Sequence, residues 1–413
     1  MHLSKLFFTN LGPFDEIEFD FDEHVNVFAG PNNSGKSTVL LALGEIAVYP
    51  FSLPEKLLRA KAARFRVELG EERKVFENRF PIDIDKFDDI VSLMTRVGYS
   101  SFVPAIRLST DFRARVPTVP NKRDATDNST EESEELRKRE RLIHTYASSI
   151  SDEAVVQKII ELDYRAYRRS SPTIRNIIDK TVAIASEITE GYSIRFVRVD
   201  EDKRGLFPQF VTPDGLVPLN VLSQGTQSLV QWLAHLLIGM AEYYDYPKDI
   251  ENESGILIID EIDAHLHPSW QRGIIPALTK HFPNIQIFCS THSPLMLAGL
   301  KAGQVQLLER DEHGKVTVSR NEQDIVGWSA DEILRSFLDV PSPTDLETVQ
   351  NIERLQELRQ IDGLTDEQAS ELNRLRETVR RDLIGGPLAT ELDELRSILN
   401  ESTRSSSPNS PSQ

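Results

Sequence analysis

Gly30-Pro31-Asn32-Asn33-Ser34-Gly35-Lys36-Ser37-Thr38 is the stretch that decides how the rest of the chain is read. Its spacing is G-x-x-x-x-G-K-S, and its flanks supply the setting that this spacing needs. Upstream, residues 3–29 alternate apolar and polar positions (Leu6, Phe8, Ile17, Phe19, Phe21, Val25, Val27, Phe28), the period of short strands. Downstream, Val39 to Ile46 reads as the start of a buried helix. A strand, a glycine-rich turn and a helix in that order form a phosphate loop. Gly30 and Gly35 let backbone N–H groups converge on phosphate oxygens at the positive end of the helix, with Asn32, Asn33, Ser34 and Thr38 in the same cradle. Lys36 is placed to bridge β- and γ-phosphates, and the Ser37 hydroxyl to ligate Mg²⁺.

A loop of this kind calls for an acidic partner, and Ile256-Leu257-Ile258-Ile259-Asp260-Glu261 supplies one. Four apolar strand residues carry two adjacent carboxylates to the carboxyl end of the sheet, where open α/β folds bind ligands. Asp260 is expected to hold the hydrated Mg²⁺, and Glu261 to orient or deprotonate the attacking water. The next apolar run, Ile285 to Cys289, leads into Ser290-Thr291-His292-Ser293-Pro294, so His292 emerges at the same edge and can donate to a γ-phosphate. Both runs are rich in β-branched residues, as expected of parallel strands buried on two faces. Between the loop and the acids lies Leu222-Ser223-Gln224-Gly225-Thr226-Gln227-Ser228, hydroxyls and a glycine at the start of an amphipathic helix carrying Leu229, Leu233, Leu236, Leu237 and Met240. Alone, such a turn is most simply a helix cap; it is also a second place suited to phosphate.

Composition narrows the class. With 39% hydrophobic and 27% charged residues, the 413-residue chain is an ordinary globular protein, long enough for two or three structural units. The single cysteine, Cys289, excludes an intramolecular disulfide, the amino terminus lacks a secretory pattern, and the longest apolar stretch, Leu229 to Ala241, is too short to span a bilayer. A cytoplasmic protein without a membrane anchor is expected. A net charge of −18 argues against nucleic acid coating the whole surface. Basic segments remain at Arg59 to Lys74, Arg137 to Arg141 and Arg165 to Arg169, interleaved with acids or apolar residues as on solvated helix faces.

The expected organisation is α/β, a P-loop NTPase with a mixed sheet, an inserted helical arm and a carboxyl-terminal helical region. Residues 1–118 form the first part of the nucleotide-binding domain, and 119–191 a polar loop followed by the arm, with Val155, Ile159, Ile160, Leu162, Ile174, Ile177, Ile178 and Val182 at helical spacing. Residues 192–325 return to the domain; 326–400 are helical, opening with capping boxes at Ser329/Glu332 and Thr365/Gln368; 401–413 are a Ser/Pro-rich tail read as disordered.

Taken together, the phosphate loop, Leu222-Ser223-Gln224-Gly225-Thr226, Ile259-Asp260-Glu261 with His265-Leu266-His267-Pro268, and Thr291-His292-Ser293-Pro294 resemble the ABC-type ATPases of the SMC, RecF and OLD branch. More narrowly they are similar to the standalone ATPases of bacterial antiphage operons of the Septu and retron-associated type. The likeness covers roughly residues 1–310. It implies ATP and Mg²⁺ as ligands and a head-to-tail homodimer in which Ser223 and Gly225 of one subunit close on the γ-phosphate held by Lys36 of the other. Hydrolysis through Glu261 and His292 then reopens the pair. The family's glutamine between phosphate loop and signature has no match around Phe102 to Leu108, and Gly225-Thr226-Gln227 replaces the Gly-Gly-Gln of transporters.

Two further clusters carry less. His265 and His267 fit a dimer-facing loop better than a metal site, and Asp83, Asp85, Asp88 and Asp89 lack the partners a two-metal nuclease needs. The expected function is therefore an ATPase that dimerises and regulates a separate effector, such as an HNH nuclease, in antiphage defence. The competing expectation is a RecF-like clamp on DNA in repair, using the basic segments around Arg59 and Arg137.

Overall fold

The computed structural model describes residues 2–47, 63–70, 74–79, 96–103, 152–169, 171–203, 205–338, 340, 345–361 and 365–384. The Arg137 to Arg141 segment, Asp83 to Asp89, the 112–135 loop and the 401–413 tail lie outside the described residues, as does Arg59. The chain divides into two compact units, Met1–Asp339 and Val340–Gln413.

Among the described residues the first unit holds three sheets. Strands β1 (Leu3–Leu11) and β2 (Phe14–Asp20) form an antiparallel pair, and β3 (Val25–Ala29) leads into helix α1 (Lys36–Ala47). β4 (Arg64–Leu69) pairs with β1 and β5 (Lys74–Arg79), giving the order β2-β1-β4-β5. This corrects the helical reading of the Arg59 to Lys74 segment over its described part. Phe65, Val67 and Leu69 alternate inward with period two while Arg64, Arg66 and Glu68 are exposed or half-buried.

The second sheet carries the nucleotide motifs. β6 (Tyr99–Val103) is followed, after helices α2 (Asp152–Arg169) and α3 (Pro172–Ile188), by a three-stranded antiparallel sheet of β7 (Arg195–Asp202), β8 (Gly205–Thr212) and β9 (Gly215–Pro218). Helix α4 (Gln224–Tyr243) then precedes β10 (Gly255–Ile259), α5 (Pro268–His281), β11 (Ile285–Ser290) and the short α6 (Pro294–Leu297). β12 (Val305–Arg310), β13 (Val316–Arg320) and α7 (Ala330–Phe337) end the unit. The six-stranded order is β13-β12-β3-β11-β10-β6, parallel apart from β13. Every residue of β3, β10 and β11 is buried, as a parallel sheet covered on both faces requires.

Helix α1 is apolar almost all round because it lies inside the core shared by the two larger sheets. Leu40, Leu43 and Ile46 pack in one cluster with Phe8, Phe19, Phe28 and Phe288. The buried Gln286 side chain ties the sheets together, accepting from Leu3 N at 2.8 Å and donating to the carbonyls of Leu3 and Asp22 at 2.8 Å each. Helices α2 and α3 pack on each other and on α4, and α4 packs on β6. Across this junction Arg175 of α3 donates to Asp163 of α2 at 2.6 Å and to the Val197 carbonyl of β7 at 3.1 Å. The expected capping box opens α7: Ser329 Oγ accepts from Glu332 N at 3.3 Å and Ser329 N donates to the Glu332 carboxylate at 2.7 Å.

The second unit is a helical hairpin of α8 (Leu346–Arg359) and α9 (Asp366–Ile384). Arg354 bridges them through both carboxylate oxygens of Glu371, at 3.0 and 3.2 Å. The second capping box is present too, Thr365 N donating to Gln368 at 3.0 Å. Among the described residues no helix is long and apolar enough to cross a membrane.

Candidate functional site

The loop between β3 and α1 needs its glycines. Gly30 has φ +132°, and a Cβ there would lie 2.2 Å from the Leu308 carbonyl oxygen; Gly35 has φ +102°, and a Cβ there would meet the Phe14 ring at 2.5 Å. Asn33, at φ +63°, takes the left-handed conformation that asparagine tolerates. Lys36 starts α1 with its ammonium turned back over the loop, donating to the carbonyls of Gly30 at 2.9 Å and Pro31 at 2.8 Å. Only 6% exposed, it is pulled below the usual lysine range by burial, against the opposing pull of Asp260, Glu261 and Asp263. Ser34 and Thr38 are buried, whereas Asn32, Asn33 and Ser37 face solvent.

Strand β10 delivers the acids. Its end is fixed on both sides, because Asp260 N donates to the Val103 carbonyl of β6 at 2.9 Å and Ile262 N to the Ser290 carbonyl of β11 at 3.0 Å. Asp260 is 7% exposed. Its Oδ1 accepts from Ser37 Oγ at 3.2 Å and from Ser290 Oγ, so the phosphate-loop hydroxyl and the strand-end carboxylate meet. Glu261 is exposed at φ 50°, its N–H donating to Ser290 Oγ at 2.8 Å. A non-glycine residue held there by flanking strands is the kind of local strain that functional sites carry.

His292 emerges beyond β11 into the same region, exposed, while Thr291 and Ser293 on either side are buried. Its imidazole is shifted below the ordinary histidine range by desolvation and then by Lys36, with Asp263, Glu261 and Asp260 pulling the other way. Ser293 joins this turn to α5 through Gln271, at 2.6 Å. The turn, the loop and both acids thus share one edge of the sheet.

Ser223 stands apart from this constellation. Its Oγ accepts from Thr226 N at 3.2 Å and pairs with Thr226 Oγ1 at 2.8 Å, capping α4 in its own chain. Gly225 is buried under the loop that follows Glu261, and a Cβ on it would lie 2.4 Å from the His265 carbonyl oxygen and 3.2 Å from the Trp270 ring. His267 caps α5, its Nδ1 accepting from Ser269 N at 3.3 Å, which is a structural role rather than a ligating one.

Three residues of this site carry no assigned role in the sequence reading. Ser290 orients Asp260 and Glu261 together; its only signal is a small hydroxyl at the end of the strand next to the acidic one. Asp263 lies in the turn after the acids, and Arg310 reaches the Asn33 carbonyl at 3.5 Å from β12. Neither has a signature by spacing.

The donor set fits a magnesium nucleotide. Among the described residues no group of three or more His, Cys, Asp or Glu could hold a metal by itself. Ser37 and Asp260 supply oxygen donors of the kind that Mg²⁺ would take from protein in a nucleotide site.

Comparison with known proteins agrees with these motifs. Residues 25–298, more than half of the chain, match the family described as "AAA domain, putative AbiEii toxin, Type IV TA system". The Septu protein PtuA of Bacillus thuringiensis is 32% identical over 171 residues, 39% of this chain and 42% of that protein. The retron Vc95 probable ATPase of Vibrio cholerae serotype O1 biovar El Tor is 39% identical over 87 residues, 21% of this chain and 17% of that protein. The matched stretches span less than half the length of these relatives. A solved SMC head bound to the C-winged helix domain of ScpA superposes with a TM-score of 0.47 at 14% identity, covering 78% of this chain and 98% of that one.

Proposed function

The chain belongs to this AAA domain family, and from that premise we propose that it binds and hydrolyses ATP as a head-to-tail dimer that controls a separate effector. The observation that carries the reading is the 3.2 Å contact between Ser37 of the phosphate loop and Asp260 of the acidic strand, beside an exposed Glu261 and His292. Lys36 grips the β- and γ-phosphates. Ser37 and Asp260 would hold Mg²⁺, which when bound would neutralise charge building up on the phosphates. Glu261 takes the proton of the water whose oxygen bonds to the γ-phosphorus as the bond to the bridging oxygen breaks, and His292 donates to the γ-phosphate.

The exposure of these groups supports the dimer. Glu261 and His292 face solvent in the single chain, where bulk water weakens every electrostatic interaction they make. A second subunit presenting Ser223 covers them, with Gly225, buried beneath its own His265 loop, shaping that surface from below. Val221, 62% exposed, and Leu216, 47% exposed, lie close before Ser223 in the chain and give that surface apolar area to bury. Segments 1–118 and 192–325 then act as one ATPase domain, with 119–191 as the arm that follows its nucleotide state. The effector is a nuclease of HNH type encoded beside this chain. DNA is the competing ligand, through the basic segments around Arg59 and Arg137.

The test is Glu261→Gln, which keeps the site's shape and removes the base. With ATP it should run as a dimer in size-exclusion chromatography and carry a nuclease with it when co-expressed with its neighbouring genes. Recovery of DNA or repair proteins without such a partner moves the assignment to the clamp. An ATP-independent monomer refutes the dimer.

A further inference from the structure

The turn after the two acids holds a third carboxylate that the proposed reaction does not use. Asp263 sits in a backbone fixed at three points: Ile262 N donates to the Ser290 carbonyl at 3.0 Å, Ala264 N to the Glu261 carbonyl at 2.9 Å, and Leu266 N to the Asp263 carbonyl at 3.1 Å. The first of these bonds pins residue 262 to residue 290, so Asp263 leaves β10 beside the point where Thr291 and His292 leave β11. Its Oδ1 is fully buried and has no hydrogen-bond partner among the described residues. A buried carboxylate oxygen without a donor costs about 1–3 kcal/mol or more, so a native structure that keeps one has a use for it.

The opposite number is close at hand. The His292 imidazole makes no hydrogen bond among the described residues, although both its chain neighbours are buried and bonded. Of the three carboxylates acting on that ring, Asp263 attracts its protonated form most strongly, ahead of Glu261 and Asp260.

We propose that Asp263 is a positioning residue for His292: the unpartnered carboxylate oxygen accepts one imidazole N–H, fixing the tautomer and orientation in which the other ring nitrogen meets the γ-phosphate. The inference rests on the ATPase reading above. It gives Asp263 a role separate from Glu261, which handles the proton of water, and from Asp260, which holds the cation. An imidazole bound by one carboxylate keeps a single tautomer, and a ring free to turn does not. The bond need form only once nucleotide fills the site, because catalytic hydrogen bonds often tighten on ligand binding.

Two measurements test this. In full-length protein with ¹⁵N-labelled histidine and a non-hydrolysable ATP analogue, the His292 resonances, identified by their loss in His292→Ala, should report one tautomer. Asp263→Asn should convert them to the averaged pattern of a free ring, and Asp263→Glu should restore the single tautomer at least in part. In steady-state hydrolysis Asp263→Asn should lower kcat about 10- to 100-fold with KM for ATP unchanged, the size expected on losing a partner that orients an active group. The double variant with His292→Ala should be no slower than His292→Ala alone. A His292 spectrum indifferent to Asp263→Asn overturns the proposal whether or not the chain turns over ATP. Additive losses in the double variant overturn it as well. Absence of Glu261-dependent turnover in the wild type would instead count against the ATPase reading, and the spectrum would still decide the Asp263 contact.

Discussion

Gly225, in the first turn of α4, packs against the backbone of His265 in the loop that follows Asp260 and Glu261; a Cβ on Gly225 would lie 2.4 Å from the His265 carbonyl oxygen. The two segments proposed to serve different nucleotides, one in each half of a dimer, therefore touch within one chain. Gly225→Ala asks the backbone at His265 to move, and overpacking of this kind costs about 1–3 kcal/mol. The expected outcome is a lower denaturant midpoint in urea unfolding together with slower ATP turnover, since the shift displaces the loop leading back to Glu261. A variant with wild-type stability and rate would show that the contact is slack.

A second consequence concerns acid. His235 is buried in α4, and burial, followed by the charge of Lys158, lowers its pKa to about 4 from an ordinary value near 6.5. Above pH 6.5 it is neutral whether the chain is folded or not, so it contributes nothing to the pH dependence. Between 6.5 and 4 the unfolded chain takes up a proton that the folded chain refuses, and stability falls as pH drops, by at most about 3 kcal/mol. Below about 4 the loss levels off. His235→Leu should flatten that part of the stability profile, measured by urea titrations at pH 7, 5.5 and 4.5. An unchanged slope would assign the acid sensitivity to other groups.

How much of this could be seen beforehand differs from element to element for physical reasons. Ile256 to Ile259 and Ile285 to Cys289 are legible because a strand buried on both faces must be apolar throughout, and the loop at Gly30 to Thr38 because its backbone accepts few other residues. Both capping boxes are legible because side chain and backbone satisfy each other within four residues. The Arg64 to Leu69 strand hides behind its charges: arginines at alternate positions on a half-exposed strand resemble a solvated helix face until β1 and β5 are seen on either side of it. Gln286 and Ser290 are invisible for a different reason. Their roles depend on Leu3 and on Asp260, partners distant in the sequence, and spacing along one strand does not encode them.

Cys289 gives a test of the sheet itself. It lies next to the carboxyl end of β11, buried, and its thiol is pushed well above the ordinary range by desolvation first and by Asp263 second. A thiol kept protonated and covered is a poor nucleophile. Iodoacetamide at pH 8 should leave the native chain unmodified and label it fully in urea, as read by intact-mass spectrometry. Fast labelling of the folded protein would contradict the placement of β11 between β3 and β10.

Lys36 offers the sharpest separation of binding from folding. Its ammonium is almost wholly covered and bonded to the Gly30 and Pro31 carbonyls, and burial holds its pKa below the usual lysine value. While the group is charged in both states the folded state bears the desolvation cost, and relief through deprotonation comes only as pH rises through the depressed value. A phosphate anion relieves the same cost at neutral pH by giving the ammonium a charged partner. Saturating ATP should accordingly raise the melting temperature of the wild type, a ligand at a hundred times its Kd contributing about 2.7 kcal/mol. Lys36→Ala removes both the cost and the grip. Its melting temperature without nucleotide should stay within a few degrees of wild type, and the rise on adding ATP and Mg²⁺ should vanish. If the variant keeps the full nucleotide-dependent rise, the anion is held elsewhere and the loop from Gly30 to Thr38 is not the phosphate site.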